Sequence, residues 1–202
     1  CERVIECAPE DLDLKRELLQ QLDAIVGEDA IIATNTSSLS VTKLASYLER
    51  PGHFVGLHFF NPVPLMKLVE VVRGMRTTDA TVAAVRGFAE SLGKVPIDVK
   101  DSPGFVVNLV LFPMINEAAF ALQQGVATPE AIDECMKLGC NHPLGPLALA
   151  DLVGLDVVHA ILDSLYREYG EPRYAACLEI KKRVEAGWLG RKSGRGFYSY
   201  EA

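Results

Sequence analysis

The sequence has no long apolar run. Its most apolar stretch, Phe105–Ile115, is interrupted by Asn108 and Pro113 and is too short to cross a bilayer. It also has no block of Lys or Arg, and a formal net charge of −7 over 202 residues disfavours nucleic acid or an anionic membrane surface as a partner. Cysteine is sparse and unpatterned. Cys1, Cys7, Cys135, Cys140 and Cys177 are an odd number with no C-x-x-C pair, which suits neither a disulfide framework nor a zinc site, so they are expected to be reduced and mostly packed. No internal repeat, low-complexity tract or secretory signal is recognisable, which favours a cytoplasmic protein with no membrane partner. An initiator Met is missing too: Cys1 leads straight into an apolar strand, and the expectation is a chain that opens in the middle of a sheet.

What is present is ordinary globular composition, 49% hydrophobic and 23% charged, enough to bury a substantial core. From Arg3 to Val99 short apolar runs alternate with amphipathic segments, the pattern of an α/β sheet with helical crossovers. Strands are expected at Val4–Cys7, Ala30–Thr34, Phe54–Phe60, Leu68–Val72 and Lys94–Val99. Helices are expected at Asp11–Val26, around Val41–Leu48, and at Thr78–Leu92 with Val82, Val85, Phe88, Ala89 and Leu92 inward. At Asp101-Ser102-Pro103-Gly104 a cap-plus-proline signal opens a purely helical stretch, with helices near Gly104–Gln123, Thr128–Leu138, Pro146–Leu152, Leu155–Tyr169 and Ala175–Ala186. The fold class is therefore α/β followed by all-α, with domains 1–100 and 101–202. The first helix of the second domain is apolar nearly all round, which requires it to be wrapped by its own domain or by a second subunit; a homodimer is favoured.

The stretch FVGLHFFNPVPLMKLVEVV, Phe54–Val72, places one ionisable residue in each of two apolar strands, His58 and Glu70. An ionised carboxylate among Leu68, Val69, Val71 and Val72 needs a partner. If the strands double back, a carboxylate that holds one imidazole nitrogen leaves the other for proton transfer, the arrangement of an acid/base catalyst. A satisfied core histidine is the competing reading. Asn35-Thr36-Ser37-Ser38 follows a strand expected to be parallel, where ligands bind in open α/β sheets; its hydroxyls would serve a polar ligand or cap the next helix. Asn108, a buried amide by position, is a ligand contact or an interhelical bond. The basic, glycine-rich segment Trp188–Tyr198 is an anion-approaching loop, with Arg191 and Lys192 as its cations, or a plain surface turn.

Together and in this order, NTSSL, GLHFFNPVPLMKLVEVV, DSPGFVVN, HPLGPLALADLVGLD and GRKSGRGFY resemble the short-chain 3-hydroxyacyl-CoA dehydrogenases over essentially the whole chain, the bacterial 3-hydroxybutyryl-CoA dehydrogenases being nearest. The resemblance implies the C-terminal portion of a Rossmann-like NAD-binding domain followed by a helical dimerisation domain. It implies an oxidoreductase of fatty acid and butanoate metabolism that interconverts a short-chain (S)-3-hydroxyacyl-CoA and its 3-oxoacyl-CoA with NAD as cofactor. On that resemblance His58 is the catalytic base and Glu70 orients it. Ser37 and Asn108 match polar residues around the reacting oxygen, and Asn61 matches a further active-site amide. Glu10, Lys15 and Ser37 fall on the cofactor side, and Lys192 matches the lysine of a C-terminal loop that closes near it. The family's G-x-G-x-x-G turn does not occur upstream of Ser37, so the chain is expected to be a fragment that starts about a hundred residues into the family pattern. Two alternatives stand beside this reading: a non-catalytic helical dimerisation fragment, and a 3-hydroxyadipyl-CoA dehydrogenase.

Overall fold

The computed structural model describes residues 2–200; Cys1, and with it the expectation for its thiol, lies outside the described residues. The chain divides into two compact units, Cys1–Val106 and Val107–Ala202.

The first unit is a five-stranded sheet in sequential order: β1 (Arg3–Glu6), β2 (Ile31–Thr34), β3 (Phe54–Phe59), β4 (Leu68–Arg73) and β5 (Val95–Lys100). β1, β2 and β3 run parallel, β4 turns back antiparallel to β3, and β5 is parallel to β4. Three helices accompany the strands: α1 (Leu12–Ile25), α2 (Val41–Ala45) and α3 (Asp79–Ser91). Each helix begins on a side chain that accepts a backbone N–H: Asp11 from Leu14, Ser40 from Lys43, Thr78 from Thr81. Such caps satisfy donors the helix cannot use itself. One core cluster packs Leu19, Val41, Leu44, Phe54 and Val72 together; another packs Val55, Leu57, Val69 and Val71 against Val82 and Val85. Gly56 makes the first possible. A Cβ there would lie 2.6 Å from Val72 Cβ and 2.8 Å from Val41 Cγ2, so only glycine lets β3 pass so close to both.

The second unit holds α4 (Val107–Gln123), α5 (Pro129–Cys140), α6 (Pro146–Val153), α7 (Leu155–Tyr169) and α8 (Leu178–Glu185) around a core of Phe112, Ile115, Leu147, Leu155, Val158, Leu162 and Ile180. Two buried carboxylates tie it together. Asp133 accepts the N–H groups of Leu147 and Ala148 at the start of α6 and the Tyr198 hydroxyl at 2.7 Å. Asp151 accepts from the Phe197 and Tyr198 amides and the Tyr200 hydroxyl.

Several expectations are corrected. The helix expected from Gly104 starts at Val107, because Gly104 and Phe105 take φ of 78° and 49°, left-handed values that break a helix. Asp101 does not cap it: its carboxylate receives the Ser40 hydroxyl and the Val41 and Thr42 amides, bracing the start of α2. The helix expected to reach Leu48 ends at Ala45, and the one expected from Ala175 starts at Leu178, after a single 3-10 turn at Pro172–Tyr174. Leu92, expected inward, is 51% exposed beyond the end of α3. Cys7, Cys135 and Cys140 are exposed and only Cys177 is buried, so the described thiols are free but mostly not packed. Most of α4 is covered within its own unit, yet Val110 on it is exposed.

Candidate active site

β3 and β4 pair so that His58 stands directly opposite Glu70. Opposed residues of an antiparallel pair share one face, and here their side chains meet: His58 Nδ1 lies 2.8 Å from Glu70 Oε2. Both are buried, 4% and 1% exposed. The other carboxylate oxygen, Oε1, accepts the Val106 backbone N–H at 3.0 Å. An ionised carboxylate only accepts, so the imidazole proton facing it sits on Nδ1 and the neutral ring keeps its lone pair on Nε2. The rings of Phe60 and Phe105 flank the imidazole at 4.5 and 5.5 Å between centroids, giving it an apolar seat.

A second polar cluster lies at the carboxyl ends of β1 and β2. Glu10 Oε1 accepts four donors: the Thr36 hydroxyl at 2.5 Å, the Ser37 and Ser38 amides at 2.9 and 2.8 Å, and the Ser38 hydroxyl at 2.9 Å. Burial raises the Glu10 pKa, but the bonds from Thr36, Ser38 and Ser37 outweigh it and hold the carboxyl below the usual carboxylate range. Asn35 Oδ1 accepts the Phe59 N–H at 2.9 Å, tying this loop to the end of β3, one residue from His58. Ser37 is exposed on the loop.

Beneath Glu10, Lys15 is 1% exposed. It donates to both oxygens of Glu6, at 2.8 and 2.9 Å, and to the Ala8 carbonyl at 2.9 Å. Its ammonium is 3.8 Å from the free side of the Glu10 carboxylate, Oε2.

The remaining candidates are placed separately. Asn61 is exposed on the turn between β3 and β4, before Pro62. Asn108 is buried near the start of α4, in the second unit. Lys192, also in that unit, pairs with Asp156 at 2.5 Å; burial raises the Asp156 pKa, and the Lys192 bond leads the interactions that bring it below its ordinary value. Its neighbours Arg191 and Arg195 stack on Tyr200 and Trp188.

Sequence reasoning missed Glu6 and Thr34, and it named Asn35 as part of its loop without the bond to Phe59. A signal for the first was available: Lys15 lies on the apolar face of an amphipathic helix, and a buried ammonium requires a buried carboxylate.

The chemistry of the donor set at the β1–β2 edge fits the uncharged part of a dinucleotide. Serine and threonine hydroxyls, amide N–H groups and one carboxylate suit an amide and a ribose. A pyrophosphate would meet the Glu10 charge there.

Residues 1–102 match the 3-hydroxyacyl-CoA dehydrogenase NAD binding domain and residues 104–200 the 3-hydroxyacyl-CoA dehydrogenase C-terminal domain. A probable 3-hydroxybutyryl-CoA dehydrogenase of Bacillus subtilis is 52% identical over 198 residues, which are 98% of this chain and 69% of that protein. The 3-hydroxybutyryl-CoA dehydrogenase of Clostridioides difficile is 54% identical, over 98% of this chain and 70% of its own length. Among solved structures, the crystal structure of (S)-3-hydroxybutyryl-CoA dehydrogenase from Ralstonia eutropha matches with a TM-score of 0.97 at 57% identity, covering all of this chain and 71% of that one. The first unit is thus a Rossmann-like NAD-binding domain and the second a helical domain. Sheet, helical unit and both matched halves lead to one assignment: this chain belongs to the 3-hydroxyacyl-CoA dehydrogenase family.

Proposed function

We propose that the protein oxidises the 3-hydroxyl of a short-chain (S)-3-hydroxyacyl-CoA, of which 3-hydroxybutyryl-CoA is the first candidate, and reduces the 3-oxo product in reverse. The observation that carries this is the His58–Glu70 pair, Nδ1 to Oε2 at 2.8 Å. With Nδ1 protonated against Glu70, Nε2 takes the proton of the 3-hydroxyl. Glu70 stabilises the imidazolium that forms and keeps the ring from rotating. NAD, when bound, supplies the acceptor for the hydride leaving C3. On the family likeness, Glu10, Lys15 and Ser37 would serve the nicotinamide side of the cofactor, Ser37, Asn61 and Asn108 the reacting oxygen, and Lys192 the cofactor. The names of the relatives support the activity, and the uncharged donor set of the Glu10–Ser38 edge supports the place given to the nicotinamide side.

Assembly is proposed as a homodimer through the helical unit, where Val110, Leu138, Leu152 and Leu178 expose apolar surface. A cytoplasmic setting suits the free thiols of Cys7, Cys135 and Cys140. Among the described residues no helix is long and apolar enough to cross a membrane.

The test follows NADH absorbance with the purified protein, NAD and (S)-3-hydroxybutyryl-CoA, against a 3-hydroxyadipyl-CoA comparison. Turnover of the first that His58→Gln lowers by about 10²–10⁴-fold supports the reading. Turnover that His58→Gln leaves intact removes His58 from the mechanism.

A further inference from the structure

We propose that Glu6, acting through Lys15 and Thr34, is a positioning residue for the Glu10–Ser38 edge, with Lys15 held behind that edge by Glu6 and the Ala8 carbonyl. The proposal rests on the dehydrogenase reading above.

The hydrogen-bond arithmetic is its foundation. A lysine ammonium has three donors. In this structure three acceptors lie at 2.8–2.9 Å: both oxygens of Glu6 and the Ala8 carbonyl. With the side chain 1% exposed, no donor is left to reach out of the fold. Glu6, 3% exposed, is equally engaged. One oxygen accepts from Lys15 and the Ala8 amide, the other from Lys15 and the Thr34 hydroxyl at 2.7 Å. Ala8 is therefore gripped at both its N–H and its C=O, which fixes the turn that carries Glu10.

From Thr34 the chain of bonds continues outward. Its Oγ1 accepts the Thr36 amide at 3.3 Å, and the Thr36 hydroxyl donates to Glu10 Oε1 while accepting the Leu39 amide at 2.9 Å. One connected network thus runs from a buried ion pair to the exposed Ser37 backbone and determines both sides of the edge: the Ala8–Glu10 turn through Lys15, the Thr36–Ser38 loop through Thr34. A buried ion pair is a poor source of net stability, since well-packed apolar replacements commonly match it. Fixing geometry at a binding edge is the use that this network serves.

Two variants test it in the otherwise intact protein. Glu6→Gln/Lys15→Met removes both buried charges together and so avoids stranding one of them. Thr34→Val removes only the hydroxyl from an otherwise isosteric side chain. In ligand-free protein, the Ser37 and Ser38 amide resonances and their hydrogen exchange report the bonds to Glu10. Both variants are expected to stay folded, to shift those resonances and to speed that exchange. NADH affinity, read by fluorescence titration, is expected to fall about tenfold, as for loss of a hydrogen bond to a charged group. In steady state KM for NAD should rise more than kcat falls. Unchanged Ser37 and Ser38 resonances in both variants overturn the proposal whatever the binding data. So does a Thr34→Val protein with wild-type NADH affinity and unshifted Ser37 and Ser38 resonances, because the Thr34 arm of the network would then hold nothing. If the wild-type protein itself shows no saturable NADH binding, the cofactor part of this proposal falls, and the Ser37 and Ser38 resonances alone decide the positioning role.

Discussion

The Val106 backbone N–H donates to Glu70 Oε1 at 3.0 Å, and Val106 is aimed there by two preceding residues, Gly104 and Phe105, in left-handed conformation. For a phenylalanine that conformation costs on the order of 1–2 kcal/mol. In return, the carboxylate that holds His58 is pinned at both oxygens, and the Phe105 ring comes to 5.5 Å from the imidazole.

This geometry makes Glu70→Gln informative. A Gln amide has one acceptor and one donor end, where Glu70 presents two acceptors to His58 Nδ1–H and Val106 N–H. With its oxygen on the Val106 N–H, its NH2 is met only by the His58 tautomer that carries the proton on Nε2, which cannot take a hydroxyl proton; turned over, its NH2 faces the Val106 N–H, donor against donor. The imidazolium also loses its counter-charge. Turnover should fall by about 10²-fold or more, the scale of a general acid/base contribution, with folding retained. A variant with near-normal kcat and reduced stability instead would make Glu70 a structural residue.

Much of this was legible in the sequence. Val69, Val71 and the strand pattern around them require a hairpin, and the lone carboxylate at Glu70 requires a partner twelve residues away, at His58. The alternation of β1, β2 and β3 with α1 and α2 is the ordinary signature of parallel strands. What could not be read was long-range polar bonding. Asp101 looks like the cap of the helix that follows it, because a carboxylate before Ser-Pro satisfies the local rule; only the folded sheet brings it to α2, sixty residues back. Glu6 likewise looks like the polar end of a strand until Lys15 is seen beneath the turn. The exposure of Cys7, Cys135 and Cys140 depends on which face each element buries, and cysteine spacing does not encode that.

Asp101→Ala tests the brace on α2. It removes bonds to Ser40, Val41 and Thr42, including 2.7 Å to the Thr42 amide, at the positive end of a short helix. Loss of a helix-capping carboxylate costs about 1–2 kcal/mol. The urea midpoint should drop with an unchanged m value. An unchanged midpoint would show that water replaces the carboxylate without loss.

Gly56→Ala tests close approach in the core. The new Cβ would sit 2.6 Å from Val72 Cβ, an atom fixed to the β4 backbone that cannot rotate away. Overpacking of this kind typically costs about 1–3 kcal/mol, and β3 has to shift to relieve it. Because His58 is two residues along the same strand, the variant should lose catalytic rate as well as stability. Gly87, on the same unit, is the control, since a Cβ added there would meet no atom within 4 Å: Gly87→Ala should leave both unchanged or raise stability slightly.

The Glu10 carboxyl gives a pH prediction of definite sign. Burial pushes its pKa up, the hydrogen bonds from Thr36, Ser38 and Ser37 outweigh that, and the folded value lies below the ordinary one. A depressed carboxyl binds its proton more weakly in the folded than in the unfolded chain, so its stabilising contribution is complete above the unfolded value of about 4.3 and is lost as pH falls through the folded one. Glu10→Gln removes the titration. The difference in unfolding free energy between wild type and Glu10→Gln should therefore be constant from neutral pH down to about pH 5 and shrink steadily below about pH 4. Parallel stability curves across that range would mean that the four donors on Oε1 hold the protonated carboxyl as well as they hold the charged one, and that Thr36, Ser37 and Ser38 do not depend on the charge of Glu10.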